Sequence, residues 1–288
     1  MTVAEAFNQF KSELELPDRE QSKAATAQKA IREQVAKHLY VANSFLAGSY
    51  ARYTKITPLS DIDVIFVRNS ERVGLASSGG TSPNEALVQL AEAVKKAYPS
   101  TARIEKQSRS VNVRIQGLQF GFDLIPAWLR TPDGYWIPDA DDSRWIPTDP
   151  DQHAAMMTEA NRRCENKLKP VIKMAKHWSR YNYDRLRSFH IELVCAAIFI
   201  TGEIQRWQLG VARFLANAFN YVGRVMMDPI YGVSRVDKVL TEKEETELLS
   251  RIRYDSNNAV EALELEQAGK DASAIEKWRH IFGTGFPC

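Results

Sequence analysis

The chain is poor in the features that would place it in a membrane or in an oxidising compartment. It has three cysteines, Cys164, Cys195 and Cys288. They are odd in number, widely separated and without CxxC spacing, so neither a disulfide framework nor a cysteine-based zinc site is expected. The longest apolar run, Leu193 to Ile200, falls far short of a bilayer span, and Met1 to Gln21 is polar rather than signal-like. Charge of one sign is also lacking. A formal net charge of +2 over 288 residues argues against a protein whose main task is to coat nucleic acid. There is no internal repeat and no low-complexity tract. A soluble, cytoplasmic protein without a membrane partner is expected, long enough to bury a sizeable core in one large or two smaller units.

The pattern along the chain suggests two lobes of an α+β fold. The segment to about Tyr40 is helical in composition, with a break and cap at Pro17-Asp18. Strands are expected at Ser44 to Ala47, Asp61 to Val67, Arg103 to Lys106, Ser110 to Gln116 and Leu118 to Ile125, with a helix from Asn84 to Ala97. The polar stretch Asn69 to Ser82 reads as a loop bordering the functional site. Past Pro126, a loop rich in Asp, Pro and Trp runs to Pro150, and long helical segments follow. These readings divide the chain into residues 1–150, a mixed-sheet core with N-terminal helices, and 151–288, a helical lobe. Asp139, Asp141 and Asp142 are assigned to turns in the intervening loop rather than to a metal site.

The densest chemical signal is Gly48-Ser49 followed by Ser60-Asp61-Ile62-Asp63 at the head of an apolar strand. Residues two apart on a strand share a face, so Asp61 and Asp63 project together while Ile62 and Val64 point the other way. Paired carboxylates suit a hard divalent cation, although an isolated Asp-x-Asp is common. Gly48-Ser49 after a short strand suggests a turn that cradles phosphate, or simply a serine capping a helix. A third acid, Asp123, stands in an otherwise apolar strand. It needs a partner: a metal shared with Asp61 and Asp63, or a salt bridge to Arg114 on the preceding strand.

A second constellation is Lys167 to Arg180. At helical spacing Lys169, Lys173, Lys176 and Arg180 fall within an arc of about 60°, while Leu168, Val171, Ala175 and Trp178 face a core. Such a stripe can be a solvated face, helped by Glu165 with Lys169, or can hold the charged tail of a nucleotide.

With these motifs the chain resembles the DNA polymerase β-type nucleotidyltransferases. Gly48-Ser49-Tyr50-Ala51-Arg52-Tyr53-Thr54 and Pro58-Leu59-Ser60-Asp61-Ile62-Asp63 resemble more narrowly the cyclic GMP-AMP synthase-like enzymes, especially the bacterial cyclic-oligonucleotide synthases of antiphage defence. Leu168 to Trp178, Ser188-Phe189-His190-Ile191-Glu192 and Trp278-Arg279-His280-Ile281-Phe282-Gly283 continue the likeness. The resemblance implies a two-lobed polymerase β-like fold and synthesis of a cyclic di- or oligonucleotide from nucleoside triphosphates. It implies that Asp61, Asp63 and Asp123 hold two ions of Mg²⁺, or of Mn²⁺ in its place. Gly48, Ser49, Lys176 and Ser188 would lie on the phosphates, and Phe189 would stack on a base or serve as core filler. The product would act through a downstream effector, with room for a regulatory partner protein and no required nucleic acid. Competing readings are a template-free linear polymerase, such as a CCA-adding enzyme or an oligoadenylate synthetase, and a nucleotide-binding module without chemistry.

Overall fold

A computed structural model describes residues 1–69, 80–183 and 186–288. Two helices open the chain, α1 (Val3–Glu13) and α2 (Asp18–Ala36), followed by β1 (Val41–Leu46), a one-turn helix α3 (Gly48–Ala51) and β2 (Asp61–Arg68). Helix α4 (Pro83–Ala97) leads to β3 (Ala102–Lys106), β4 (Val111–Ile115), β5 (Gly121–Leu129), β6 (Tyr135–Asp139) and β7 (Arg144–Thr148). The remainder is helical: α5 (Pro150–Arg163), α6 (Leu168–Asn182), α7 (Ser188–Ile198), α8 (Trp207–Ala218), α9 (Glu242–Gln267) and α10 (Asp271–Phe282). Thr2, Ser82 and Thr241 each close a capping box with a glutamate three residues on, which fixes where α1, α4 and α9 begin. Among the described residues no helix is long and apolar enough to cross a membrane. The loop expected over Asn69 to Ser82 lies mostly outside the described residues.

The strands form one mixed sheet in the order β1-β2-β5-β4-β3, with β6 and β7 continuing from the far end of β5. Among the described residues only β2 and β5 run parallel; β1 with β2, β4 with β5 and β3 with β4 are antiparallel. Period-two alternation divides β2 between two cores. Ile62, Val64 and Phe66 join Leu87, Leu90 and Phe122 under α2 and α4, whereas Ile65 and Val67 pack with Ala47 and Ala127 on the opposite face. Asp61 and Asp63 belong to that opposite face, as the alternation requires.

Two sequence expectations are corrected. Residues 126–150 are not a loop: β5 runs through Pro126 to Leu129, and a hairpin pairs Ile137 with Ile146 and Pro138 with Trp145. Prolines at 126, 138 and 147 obscured strands that tolerate them only at positions needing no donor. At the N-terminus, Asp18 is the first residue of α2 and Pro17 occupies its cap position without a side-chain bond.

A separate core fills the helical half, and α1 belongs to it despite its place in the sequence. Phe7 meets Trp278 edge-on at 4.9 Å, and Phe10 lies 4.7 Å from Phe282. Leu168, Val171, Ala175 and Trp178 enter the same cluster, as their spacing requires. Truncating Phe7 to alanine should therefore unfold the helical half more easily, by ~3–5 kcal/mol in urea denaturation. A loss under about 1 kcal/mol would show that α1 is only draped over this core.

Candidate active site

The site is assembled around a glycine turn. Gly48 adopts φ +61°, a conformation that glycine enters without steric cost. The cap position of α3 is Ala47, with no side-chain hydrogen bond, so Ser49 sits inside the turn and does not cap it. A Cβ at Gly48 would lie 1.7 Å from Asp63 Oδ2; the carboxylate rests on bare backbone. Gly121, not singled out by its sequence context, has the same role for Asp61. Its Cβ would lie 2.5 Å from Asp61 Oδ1 and 2.8 Å from Arg114 Nε.

Parallel pairing of β2 with β5 sets Asp63 beside Asp123 and Asp61 beside Gly121. Asn112 on β4 stands opposite Asp123, and its amide donates to Asp123 Oδ1 at 2.8 Å and to Asp61 Oδ1 at 3.1 Å. The three acids are thus gathered on one face. Arg114 pairs with Asp61 at 2.9 Å rather than with Asp123, the partner considered from sequence. The register explains this, because the missing side chain of Gly121 lets the guanidinium cross β5 to β2.

Asp63 differs from its neighbours in having no donor on its carboxylate among the described residues. Burial first, and then the nearby Asp123 charge, push its pKa up to about 6 against the pull of Arg52, with Asp61 raising it further and Lys176 lowering it. Burial also raises Asp123, opposed mainly by the Asn112 hydrogen bond. Among the described residues no three His, Cys, Asp or Glu side chains converge tightly enough to enclose a metal ion by themselves.

Behind the turn lies a buried ionic hub. Glu192 on α7 is 0 % exposed and accepts from Arg52 Nε at 2.7 Å, Arg52 Nη2 at 3.1 Å, Thr54 Oγ1 at 2.9 Å and Lys176 Nζ at 2.7 Å. Lys176 also donates to the Thr54 carbonyl at 3.0 Å. Burial alone would raise the Glu192 carboxyl, but Lys176 and Arg52 outweigh it and hold the pKa down at about 2. The expected basic stripe is accordingly neither solvated nor free. Lys173 pairs with Glu15, Lys169 lies over the Tyr53 ring, and Arg180 donates to the Pro58 carbonyl. Glu165 pairs with Lys167 and not with Lys169.

Two cavities flank this hub. One of about 410 Å³ contains the three acids, Gly48, Phe189 and His153; the other, of about 470 Å³, is lined by Lys55, Lys176 and Arg180. Ser49, Ser60 and Ser188 border both. Phe189 carries the Arg52 guanidinium 4.5 Å from its ring centre and meets His153 edge-on at 4.9 Å. It is therefore half-buried cavity wall, not core filler.

Residues 1–161 match the model of the Second Messenger Oligonucleotide or Dinucleotide Synthetase domain. The chain belongs to this family. The synthetase is 22% identical to the cyclic AMP-AMP-AMP synthase of Acinetobacter sp. (strain ATCC 27244 / 9458), over all of this chain and 86% of that protein. Its fold is that of Escherichia coli MS115-1 CdnC, solved with ATP (TM-score 0.78, 18% identity, 99% of each chain), and also solved in complex with HORMA-deltaN (TM-score 0.77). Vibrio cholerae DncV in its apo form superposes with a TM-score of 0.80 at 13% identity, over all of this chain and 96% of that one. The polymerase β-like fold and the kinship with cyclic GMP-AMP synthase-like enzymes, expected from the motifs, are borne out. So is the reading of the chain as a nucleotidyltransferase of the cyclic-oligonucleotide-synthase kind.

Sequence reasoning missed Asn112 and Gly121, and it quoted Arg52, Thr54 and Glu192 only as motif members without the part each plays in the hub. Glu192 did appear in the motif that begins at Ser188, yet nothing local signals an acid that meets Arg52 across the whole sheet half. Asparagine two strand residues before Arg114, level with Asp123, was the available sign for Asn112.

Two variants test the electrostatics. Glu192→Gln leaves Arg52 and Lys176 without a counter-charge, so stability should fall by ~3–5 kcal/mol. Because Glu192 is held below its unfolded value, its contribution is present above about pH 4.5 and lost as pH falls toward 2; the variant and wild type should converge under acid. Asp63 has the opposite sign. Its raised pKa means that stability is lost as pH rises from about 4 to 6, so Asp63→Asn should stabilise the metal-free protein at pH 7 by ~1–3 kcal/mol and change little at pH 4. Parallel thermal melts at the two pH values read this out, and destabilisation at pH 7 would contradict it.

Proposed function

We propose that the synthetase binds two Mg²⁺ ions at Asp61, Asp63 and Asp123 and closes nucleoside triphosphates into a cyclic di- or oligonucleotide, in cytoplasmic antiphage signalling. The observation that carries this reading is the Asp63 carboxylate. It is raised to about 6 beside two more acids, with no donor of its own among the described residues, and its charge needs a cation. The donor set is all oxygen, which suits a hard ion. Since the protein does not enclose that ion, phosphate oxygens and water are left to complete its shell. When bound, such ions polarise the phosphoryl group and lower the pKa of the attacking hydroxyl.

The chain's own residues then have positioning work to do. A ribose hydroxyl near Asp123 passes its proton to that carboxylate or to water as its oxygen attacks the α-phosphorus, the bond to pyrophosphate breaks, and pyrophosphate leaves. Ser49 and Ser188, which border both cavities, are suited to hold phosphate oxygens at the junction. The start of α7 adds to this: it has neither a side-chain cap nor an acid in its first turn, which leaves its N–H groups available to an anion. Lys176 lines the second cavity but is already bonded to Glu192 and Thr54, so it serves as a fixed positive charge rather than a mobile clamp. A base stacked on Phe189 would use the face that Arg52 leaves open, an arrangement tolerant of base identity. CdnC is solved with HORMA-deltaN, which supports a regulatory protein partner here too, with an effector that reads the product.

The test is product analysis. Purified protein is incubated with the four ribonucleoside triphosphates and Mg²⁺ or Mn²⁺, and products are examined by mass spectrometry before and after phosphatase treatment. A phosphatase-resistant small product is expected, reduced at least ~100-fold in the Asp61→Asn, Asp63→Asn double variant, which retains its fold. Linear ladders, or extension only when tRNA is added, would replace the cyclase reading by a polymerase.

A further inference from the structure

Among the described residues Asp61 is the one acid of the three that stands in an ion pair. Its Oδ1 accepts from Asn112 Nδ2 at 3.1 Å and lies 2.9 Å from Arg114 Nη2, which also donates to Oδ2 at 3.2 Å. A carboxylate has about two lone pairs on each oxygen. The amide and the guanidinium therefore cover most of what Asp61 can offer a ligand. An ion bound there would share its oxygens with a guanidinium at contact distance, positive charge against positive charge.

The position of Arg114 makes it the cation that can give way. Its side chain is 47% exposed and that of Asp61 22%, and a pair so open to water is held weakly. Arg52 and Lys176, by contrast, are locked in the buried hub around Glu192. The remaining bond of the guanidinium runs from Nη1 to the Ser60 carbonyl at 3.4 Å, next to Asp61 in the chain. The pair is not needed to join β4 to β2, because both strands are already laddered to β5. Across β3, Arg114 stands opposite Arg103, a like charge that disfavours the outward side. Gly121 opens the inward one: a Cβ there would lie 2.8 Å from Arg114 Nε. Bare backbone on β5 thus gives a half-exposed arginine access to a carboxylate two strands away.

We propose that Arg114 is a positioning residue that competes with the metal ion for Asp61: the guanidinium holds the carboxylate until an ion takes its place, and so raises the ion concentration at which the acids fill. This rests on the metal-binding reading of the acids above. Competition and a merely structural pair predict opposite signs. Removing a structural pair loosens Asp61 and weakens ion binding, whereas removing a competitor strengthens it.

Two measurements use that difference, both without nucleotide. Mn²⁺ is titrated into wild type, Arg114→Gln, Arg109→Gln and the Asp61→Asn, Asp63→Asn double variant, with the free ion read by electron paramagnetic resonance. Arg114→Gln should bind roughly threefold to tenfold more tightly than wild type. Arg109→Gln is the control for the general field: Arg109 lines the cavity of the acids but pairs with Asp139 at 3.0 Å, so its removal should change binding less than about twofold. In the second measurement the Arg114 Nε–H resonance, assigned by its absence from Arg114→Gln, should move when Mg²⁺ is added to wild type. Equal or weaker Mn²⁺ binding by Arg114→Gln, an equal gain in Arg109→Gln, or an unmoved resonance in protein that binds the ion overturns the competition. The metal reading stands in those cases as long as wild type binds Mn²⁺ and the double variant does not. If none of the four proteins binds Mn²⁺, both fall together.

Discussion

The arrangement depends on one buried carboxylate. Glu192 accepts four hydrogen bonds, two from Arg52, one from Thr54 and one from Lys176. Through them α7 and α6 are held to the segment that follows the Gly48 turn. Two cations against one anion would leave an uncompensated charge in a low-dielectric interior, which is costly. Both Arg52 and Lys176 act on Asp63 as well and lower its pKa, though burial and Asp123 outweigh them. The hub and the three acids are therefore coupled: the hub partly offsets the cost of ionising Asp63, while burial and Asp123 hold its pKa up.

Geometry at the acids is set by what is missing as much as by what is present. Strand register alone places Asp61, Asp63 and Asp123 on a common face, but carboxylates so disposed need space on both flanks. Gly48 gives that space to Asp63 and Gly121 gives it to Asp61. The second glycine also admits Arg114 from β4, which neutralises Asp61 and leaves Asp63 the acid most in need of a cation. Asn112 then ties Asp61 to Asp123. Three like charges are thus distinguished by their neighbours: one paired, one hydrogen-bonded and one bare.

What the sequence revealed follows from how far each interaction reaches along the chain. Asp61, Asp63 and their apolar neighbours alternate within a single strand, so their shared face was legible from eight residues. The buried side of α6 was legible from helical spacing for the same reason. The stripe on its other side was read only as charge. Its partners Glu15, Thr54 and Glu192 come from distant parts of the chain, and no periodicity indicates them. The hairpin at β6 and β7 was lost because its prolines and aspartates carry the composition of a loop, while their ladder is fixed by pairing. The placement of α1 was lost for a related reason: its amphipathic pattern shows that one face is buried, not against which core.

Cyclisation places a further demand on this geometry. Closing a ring requires that the product of the first joining step return to the same acids with its ends exchanged, so that the former acceptor becomes the donor. A site with one set of acids would meet this demand only if its nucleotide contacts were not strictly committed to one nucleotide. Stacking on Phe189 is of that tolerant kind. A fixed charge such as that of Lys176 would likewise not distinguish one phosphate from another. Discrimination between bases must then come from groups that touch ring edges. Besides the acids, guanidiniums and the serines at the junction, the first cavity offers the side chains of Thr148, Ser234 and His153, whose Nε2 lies 2.8 Å from Asp228. Asp228 is itself committed to His153 and to the Ile230 and Tyr231 amides, so the hydrogen-bonding atom left in that pair is His153 Nδ1.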